Sequence, residues 1–258
     1  MDFDTGRRPE GSQGGSQDAS RSPGSGGGFG GGTGGTPPRA PSSASGGDFN
    51  ISDPVNSFVE VVRSVLTGPA GFFRGIARRG NFVNPLVFAL ICSLIFAVLN
   101  GLFTMIAGLL SGTTGVGGAI AAFVGSLIFT PILVAVFAFI GAGIYHLLVL
   151  LLAGGSNAGY EATFRVGAYA SAILVVSWIS SLFNIIPVVG PIIGGLLSLL
   201  IGVYGVVIQV LGIREVHSTS TGRAVAVVLI PTAVILLLAL LIVGAALLAI
   251  FGGSQQQF

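Results

Sequence analysis

The chain has 258 residues and a formal net charge of +2, and charged side chains make up 8% of it, against roughly 25% in an average soluble domain. With 52% apolar residues, it cannot build a water-soluble surface around one packed core. Every basic residue is Arg and none is Lys, which excludes P-loop, Schiff-base and general-base lysine chemistry and points to GC-rich coding in a bacterial source.

Residues 1–53 are mostly Gly, Ser, Pro and Thr with scattered charges. Such a segment buries too little apolar surface to offset its ordering entropy, and it is expected to be a disordered tail. It lacks the basic start and apolar run of a signal peptide, so it is expected to stay on the mature protein. Its glycine run around Phe29 fits a dinucleotide fingerprint only trivially, because no strand precedes it, and its sparse arginines argue against nucleic acid.

From residue 54 the pattern turns helical, with Asp53 at the N-cap position and Pro54 at the first helical position. Val55, Phe58, Val59, Val62, Val65 and Leu66 recur on one face and Asn56, Glu60, Arg63 and Ser64 on the other. Gly68-Pro69 ends this helix. A second piece sets Phe72, Phe73 and Ile76 beside Arg74, Arg78 and Arg79, a combination suited to the headgroup region. Residues 54–83 are therefore predicted to form an amphipathic interfacial segment whose three arginines contact lipid headgroups. Packing of the same face on other protein is the alternative.

Charge then disappears from Gly80 to Tyr160, from Val166 to Ile213 and from Ala224 to Phe258. A crossing needs roughly 20 apolar residues. The first stretch divides at SGTTGVGG, the second at NIIPVVGP, and the third holds one crossing. Five transmembrane helices follow, near 85–110, 119–152, 166–183, 192–211 and 224–251, in an all-α membrane domain covering 84–258. The second is too short for two crossings plus a turn, so Pro131 is expected to kink a single tilted helix. Glu161, Arg165, Arg214, Glu215 and Arg223 fall in the connecting loops. Basic residues near span ends stay cytoplasmic, which places the N-terminus inside, the C-terminus outside and the chain in a bacterial cytoplasmic membrane.

Catalytic chemistry is poorly supplied. No Asp follows Asp53, and Glu161 and Glu215 lie in loops, so the membrane interior holds no carboxylate. Acid-dependent metal sites and proton relays both need one. His146 and His217 fall in different segments and form no zinc motif, and Cys92 is alone, so no disulfide, metal or cofactor is expected. Within the spans, His146 reads as structural, and Asn100 and Gln209 as interhelical hydrogen-bonding residues. Gly190, Gly194, Ser198 and Gly202 recur every fourth residue and predict one smooth face on the fourth span for close helix packing.

The stretches LTGPAGFF (Leu66 to Phe73), IYHLLVLLLAGG (Ile144 to Gly155), YEATFRVGAYAS (Tyr160 to Ser171), IIPVVGP and REVHSTSTGRA occur in an order that resembles the YIP family. These are Rab-GTPase-interacting multi-span membrane proteins and their prokaryotic relatives, and the resemblance covers nearly everything after residue 60. It implies a five-span protein with a cytoplasmic N-terminus and, for eukaryotic members, a role in vesicle trafficking with a small GTPase as partner. The Gly/Ser tail departs from the eukaryotic pattern. On Tyr160, Glu161, Thr163, Phe164, Arg165 and Tyr169 the resemblance implies a structural or partner-contact role. The expected function is a non-enzymatic scaffold that recruits partners or organises the bilayer, with lipid, other membrane proteins or a second copy as partners. A small channel or transporter is the alternative, and an enzyme using a substrate-supplied metal a weaker third.

Overall fold

The computed structural model describes residues 47–153 and 157–253, with side-chain surroundings up to residue 245. Residues 1–46 of the expected disordered tail, and the SQQQF terminus, lie outside the described residues. Every regular element among the described residues is helical, and five helical segments are long and apolar enough to cross a membrane.

The chain enters through α1 (Pro54–Thr67) and α2 (Pro69–Gly75). Pro54 starts α1 as predicted, but Asp53 accepts from the Asn56 side-chain amide at 2.9 Å and caps no backbone N–H. Gly68 and Pro69 separate the two helices, since Pro69 has no N–H to continue the ladder. The apolar faces then depart from the headgroup expectation. Val61, Val65, Phe72, Phe73 and Ile76 are buried within the protein, in one core with Phe88, Tyr169, Ile208 and Ile213. Packed protein offers these side chains dense dispersion contacts that lipid does not. The periodicity is the same for either partner, so the sequence alone could not decide between them.

Helices α3 (Val83–Leu110) and α4 (Val116–Leu152) form the first two spans. They pack along each other, with Gly101 admitting Phe123 and Ser126: a Cβ there would fall 2.6 Å from Ser126 Oγ. Helix α4 runs unbroken through Pro131 for 37 residues, a single crossing as expected.

The third span begins earlier than the sequence indicates and is segmented. It comprises α5 (Tyr160–Ala170), a 3-10 turn (Ser171–Ile173), α6 (Leu174–Ser177) and α7 (Ile179–Phe183). Serine hydroxyls donate back to nearby carbonyls here, Ser171 to Ala168 at 2.6 Å, Ser177 to Ile173 at 2.7 Å and Ser181 to Trp178 at 2.5 Å. Such bonds compete with the helical ladder and bend it. Glu161 and Arg165, placed in a loop by their charge, belong to α5. A buried arginine can stay in a helix when carboxylates reach it, and charge counting does not register that.

The turn Asn184–Val188 leads into α8 (Val189–Val216), and α9 (Thr221–Gly253) completes the bundle. Val188 has φ +66°, a conformation costly for a β-branched residue, and the turn brings α8 back against α7. Large aliphatic side chains on α4, α8 and α9 remain exposed, among them Ile128, Leu147, Leu199, Leu236 and Leu240, as expected of surfaces that face lipid.

Candidate functional site

One end of the bundle gathers the charges. Arg74 Nε bonds Glu215 Oε2 at 3.1 Å, Arg78 Nη2 bonds Ser218 Oγ at 3.1 Å, and Arg223 Nη1 donates to the Ala153 carbonyl at 3.3 Å. These contacts tie α2, the α8–α9 connection and the end of α4 into one cap. Arg79 is exposed at its rim.

Helix α5 runs through the middle of the cap, and all six residues marked by the family resemblance lie on it. Ala162 through Val166 and Ala168 through Ala170 are buried. Arg165, 4% exposed, is the centre of an ion network: Nη1 lies 3.0 Å from Asp48 Oδ2 and Nε 3.3 Å from Glu161 Oε1. Its Nη2 donates to the Asn81 carbonyl at 3.2 Å. Gly80 leaves the room for that guanidinium, since a Cβ there would meet Nη2. One helical turn further on, the Tyr169 hydroxyl accepts the Phe49 N–H at 3.2 Å. The Phe49 ring, 1% exposed, packs near Phe88 with centroids 5.8 Å apart, and Tyr169 closes the cluster 5.3 Å from Phe88. Asp48 and Phe49, counted with the tail in the sequence, are therefore bound into the cap. The adjoining run Asp53-Pro54 marked only where the helix begins.

The other residues of the set serve packing. The Phe164 ring lies tilted against Phe139, with centroids 4.6 Å apart, and meets Phe82 edge-on at 5.2 Å. The Tyr160 hydroxyl donates to the Phe139 carbonyl at 2.9 Å, tying α5 to α4. The burial of Phe164 favours the structural part of the expectation over direct partner contact, whereas Tyr160 is only half-buried.

Thr163 corrects the expectation that the two histidines stay apart. Its hydroxyl lies 3.0 Å from His217 Nε2 and 3.3 Å from His146 Nδ1. His217, 2% exposed, accepts the Ala158 N–H on Nδ1 at 3.1 Å. Nδ1 must then be unprotonated, so the neutral ring carries its proton on Nε2 and donates to Thr163. Burial above all, with His146 and Arg78 nearby, pushes the His217 pKa down to about 4. Nothing in the spacing of residues 146, 163 and 217 signals this meeting, because separate helices bring them together. Among the described residues no group of three or more His, Cys, Asp or Glu side chains converges, so the pair is no metal centre of the ordinary three- or four-ligand kind.

A pH dependence follows. The folded protein binds fewer protons here than an unfolded chain with an ordinary histidine near 6.5, so stability is full above that pH and falls as pH drops toward 4. The slope expected from this group is about 1.4 kcal/mol per pH unit in that window. Thermal unfolding in detergent at pH 7 and pH 5 should show the loss, and His217→Asn, whose amide oxygen can still accept from Ala158, should flatten it. An unchanged slope in the variant would refute the assignment.

The small-residue face divides in two. Gly190 and Gly194 are buried against α7, where a Cβ on Gly190 would overlap the Phe183 carbonyl and one on Gly194 would lie 2.6 Å from the Ser180 carbonyl oxygen. Ser198 and Gly202 instead line an open cleft of about 390 Å³ between α3, the segmented third span and α8.

The Yip1 domain, as a family model, matches residues 63–244. The chain belongs to the Yip1 family. No curated protein and no solved structure matches it. The matched range runs from the middle of α1 into α9, so α1, α2, the cap and all five spans fall within or overlap the Yip1 domain.

Proposed function

We propose that this Yip1-family protein is a non-enzymatic membrane scaffold of the bacterial cytoplasmic membrane, with its charged cap and N-terminus in the cytoplasm and its C-terminus outside. The observation that supports it is the cap itself. Arg165, Asp48 and Glu161 neutralise one another at a closed, aromatic-filled end instead of lining a path into the bundle. That rigid end is a platform for partner proteins, and the family resemblance implies a small GTPase as one class. Arg74, Arg78 and Arg79 at the rim contact anionic headgroups, whose negative surface potential attracts basic side chains.

Reconstitution distinguishes the scaffold from the transporter alternative. Liposomes carrying the protein should pass small solutes and ions no faster than protein-free liposomes, and solute flux proportional to protein content would sink the scaffold reading. For orientation, cysteines replacing Thr113 and Ser254 should be labelled by an impermeant reagent on intact cells and one replacing Ser218 should not. The native Cys92 is fully buried and should contribute no background. Labelling at Ser218 alone would invert the topology.

A further inference from the structure

The segment that enters the cap ahead of α1 is seated in a site built by the Yip1 domain. Gly47, Asp48 and Phe49 form no helix, and they precede the matched range 63–244. The side chains that receive them, Phe72 on α2, Phe88 on α3, and Arg165 and Tyr169 on α5, all lie inside that range. Each of the three residues is met in a different way. Gly47 has φ +68°, and a Cβ on it would stand 3.0 Å from the Phe72 ring, so backbone conformation and ring both oppose any side chain there. Asp48 places Oδ2 3.0 Å from Arg165 Nη1. Phe49 buries its ring beside Phe88 and donates its N–H to the Tyr169 hydroxyl at 3.2 Å. Glycine, carboxylate and aromatic ring are thus selected in turn by steric exclusion, by charge and by an apolar socket.

This docking can come undone without the bundle. It is made by side chains, not by a backbone ladder, and its neutral hydrogen bond is at the long end of the usual range. Asp48 Oδ1 is buried without a partner, which counts against the docked state. The chain is fastened again at Asn50, whose N–H donates to Ser57 Oγ at 3.1 Å and whose carbonyl accepts from it at 3.0 Å. Residues 47–49 can therefore swing out from that point while α1 stays in place. We infer that the cap holds a recognition site for a Gly-Asp-Phe segment of a cytoplasmic partner protein, filled in cis by Gly47, Asp48 and Phe49 until the partner's segment displaces them. The inference rests on the reading of the cap as a cytoplasmic platform for partners. A tether of a few residues gives the strap an effective concentration in the millimolar range, so it keeps the site shut against dilute ligands.

The test uses the full chain in lipid nanodiscs and a fluorescent peptide GGDFNISD, the sequence of residues 46–53. With the strap disabled by Asp48→Ala together with Phe49→Ala, the peptide should bind saturably and at least tenfold more tightly than to the parent chain. Exchanging the peptide's second Gly for Ala, its first Asp for Asn or its Phe for Ala should each weaken binding at least fivefold. The peptide MDFDTG, residues 1–6, carries Asp-Phe behind Met1 and should bind no better than the Gly-to-Ala peptide. Hydrogen exchange on the parent protein gives a second measurement that does not need the double variant to fold. The Phe49 amide should exchange more slowly than in the free peptide but at least tenfold faster than the amides of Phe164 to Tyr169, because the strap opens without the bundle. Equal binding to parent and variant, no saturable binding to a folded variant, indifference to the three peptide changes, or a Phe49 amide exchanging only at the rate of α5 would each overturn the proposal. Solute flux in the liposome assay would sink the scaffold reading while leaving peptide binding as measured, so the two fail separately.

Discussion

Arg165→Met is expected to destabilise the folded bundle by about 3–5 kcal/mol, the usual cost of removing one partner from a buried ion pair. The guanidinium holds two carboxylates and one carbonyl at 3.0–3.3 Å, linking the entry segment, the α2–α3 connection and α5. Asp48 and Glu161 are 30% and 21% exposed, so water relieves part of their loss and sets the effect toward the lower end of that range. Arg165→Lys should be intermediate, because an ammonium is a point charge and cannot serve three directions as a planar fork does. Asp48→Asn should cost less than either, leaving Glu161 and Asn81 in place. Thermal unfolding of the four proteins in one detergent measures the order, and an Arg165→Met protein that melts with the parent would show the network to be decorative.

Gly190→Ala is expected to be comparably damaging, although it adds one methyl group. The new Cβ would overlap the carbonyl of Phe183 and press on Ile186, and both are held by the short turn that joins α7 to α8. Backbone cannot swing aside as a side chain can, so α8 must separate from α7. Gly194→Leu should behave similarly against Ser180 and Asn184. Gly202→Ala provides the contrast, since its Cβ meets open space and alanine favours a helix interior by about 1 kcal/mol over glycine. Detergent-solubilised yield and melting temperature should fall for the first two and hold or rise for the third. Equal behaviour at positions 190 and 202 would remove the close-packing account.

The crossings were legible because charge is an all-or-none signal in lipid: the gaps after Arg79, Arg165 and Arg223 bound the spans, and NIIPVVGP marked the hairpin. The same rule misplaced the start of the third span. It treats Glu161 and Arg165 as solvated, whereas their charges are met by each other and by Asp48. Helical periodicity found Val65 on α1 and Phe72, Phe73 and Ile76 after it, but it missed the buried Val61 and placed the exposed Val55 and Val59 on the apolar face, and it carries no information about what covers that face. The glycine row holds a close contact at Gly190 and Gly194 only; the packing expected at Ser198 and Gly202 is not there, and both line the cleft instead. Long-range meetings such as His146, Thr163 and His217, or Phe49 with Tyr169, have no local pattern. They become visible only when the helices are assembled.

The length of α4 has a consequence for where the protein can reside. Its 37 residues rise about 55 Å, well beyond a hydrocarbon core of about 30 Å, and exposed apolar side chains continue from Val116 to Leu151. The excess must be taken up by tilt, by bending at Pro131 or by a locally thickened bilayer, each at a fraction of a kcal/mol per ångström. Thin membranes therefore strain this protein more than thick ones, and bilayer thickness alone gives it a preference among lipid environments.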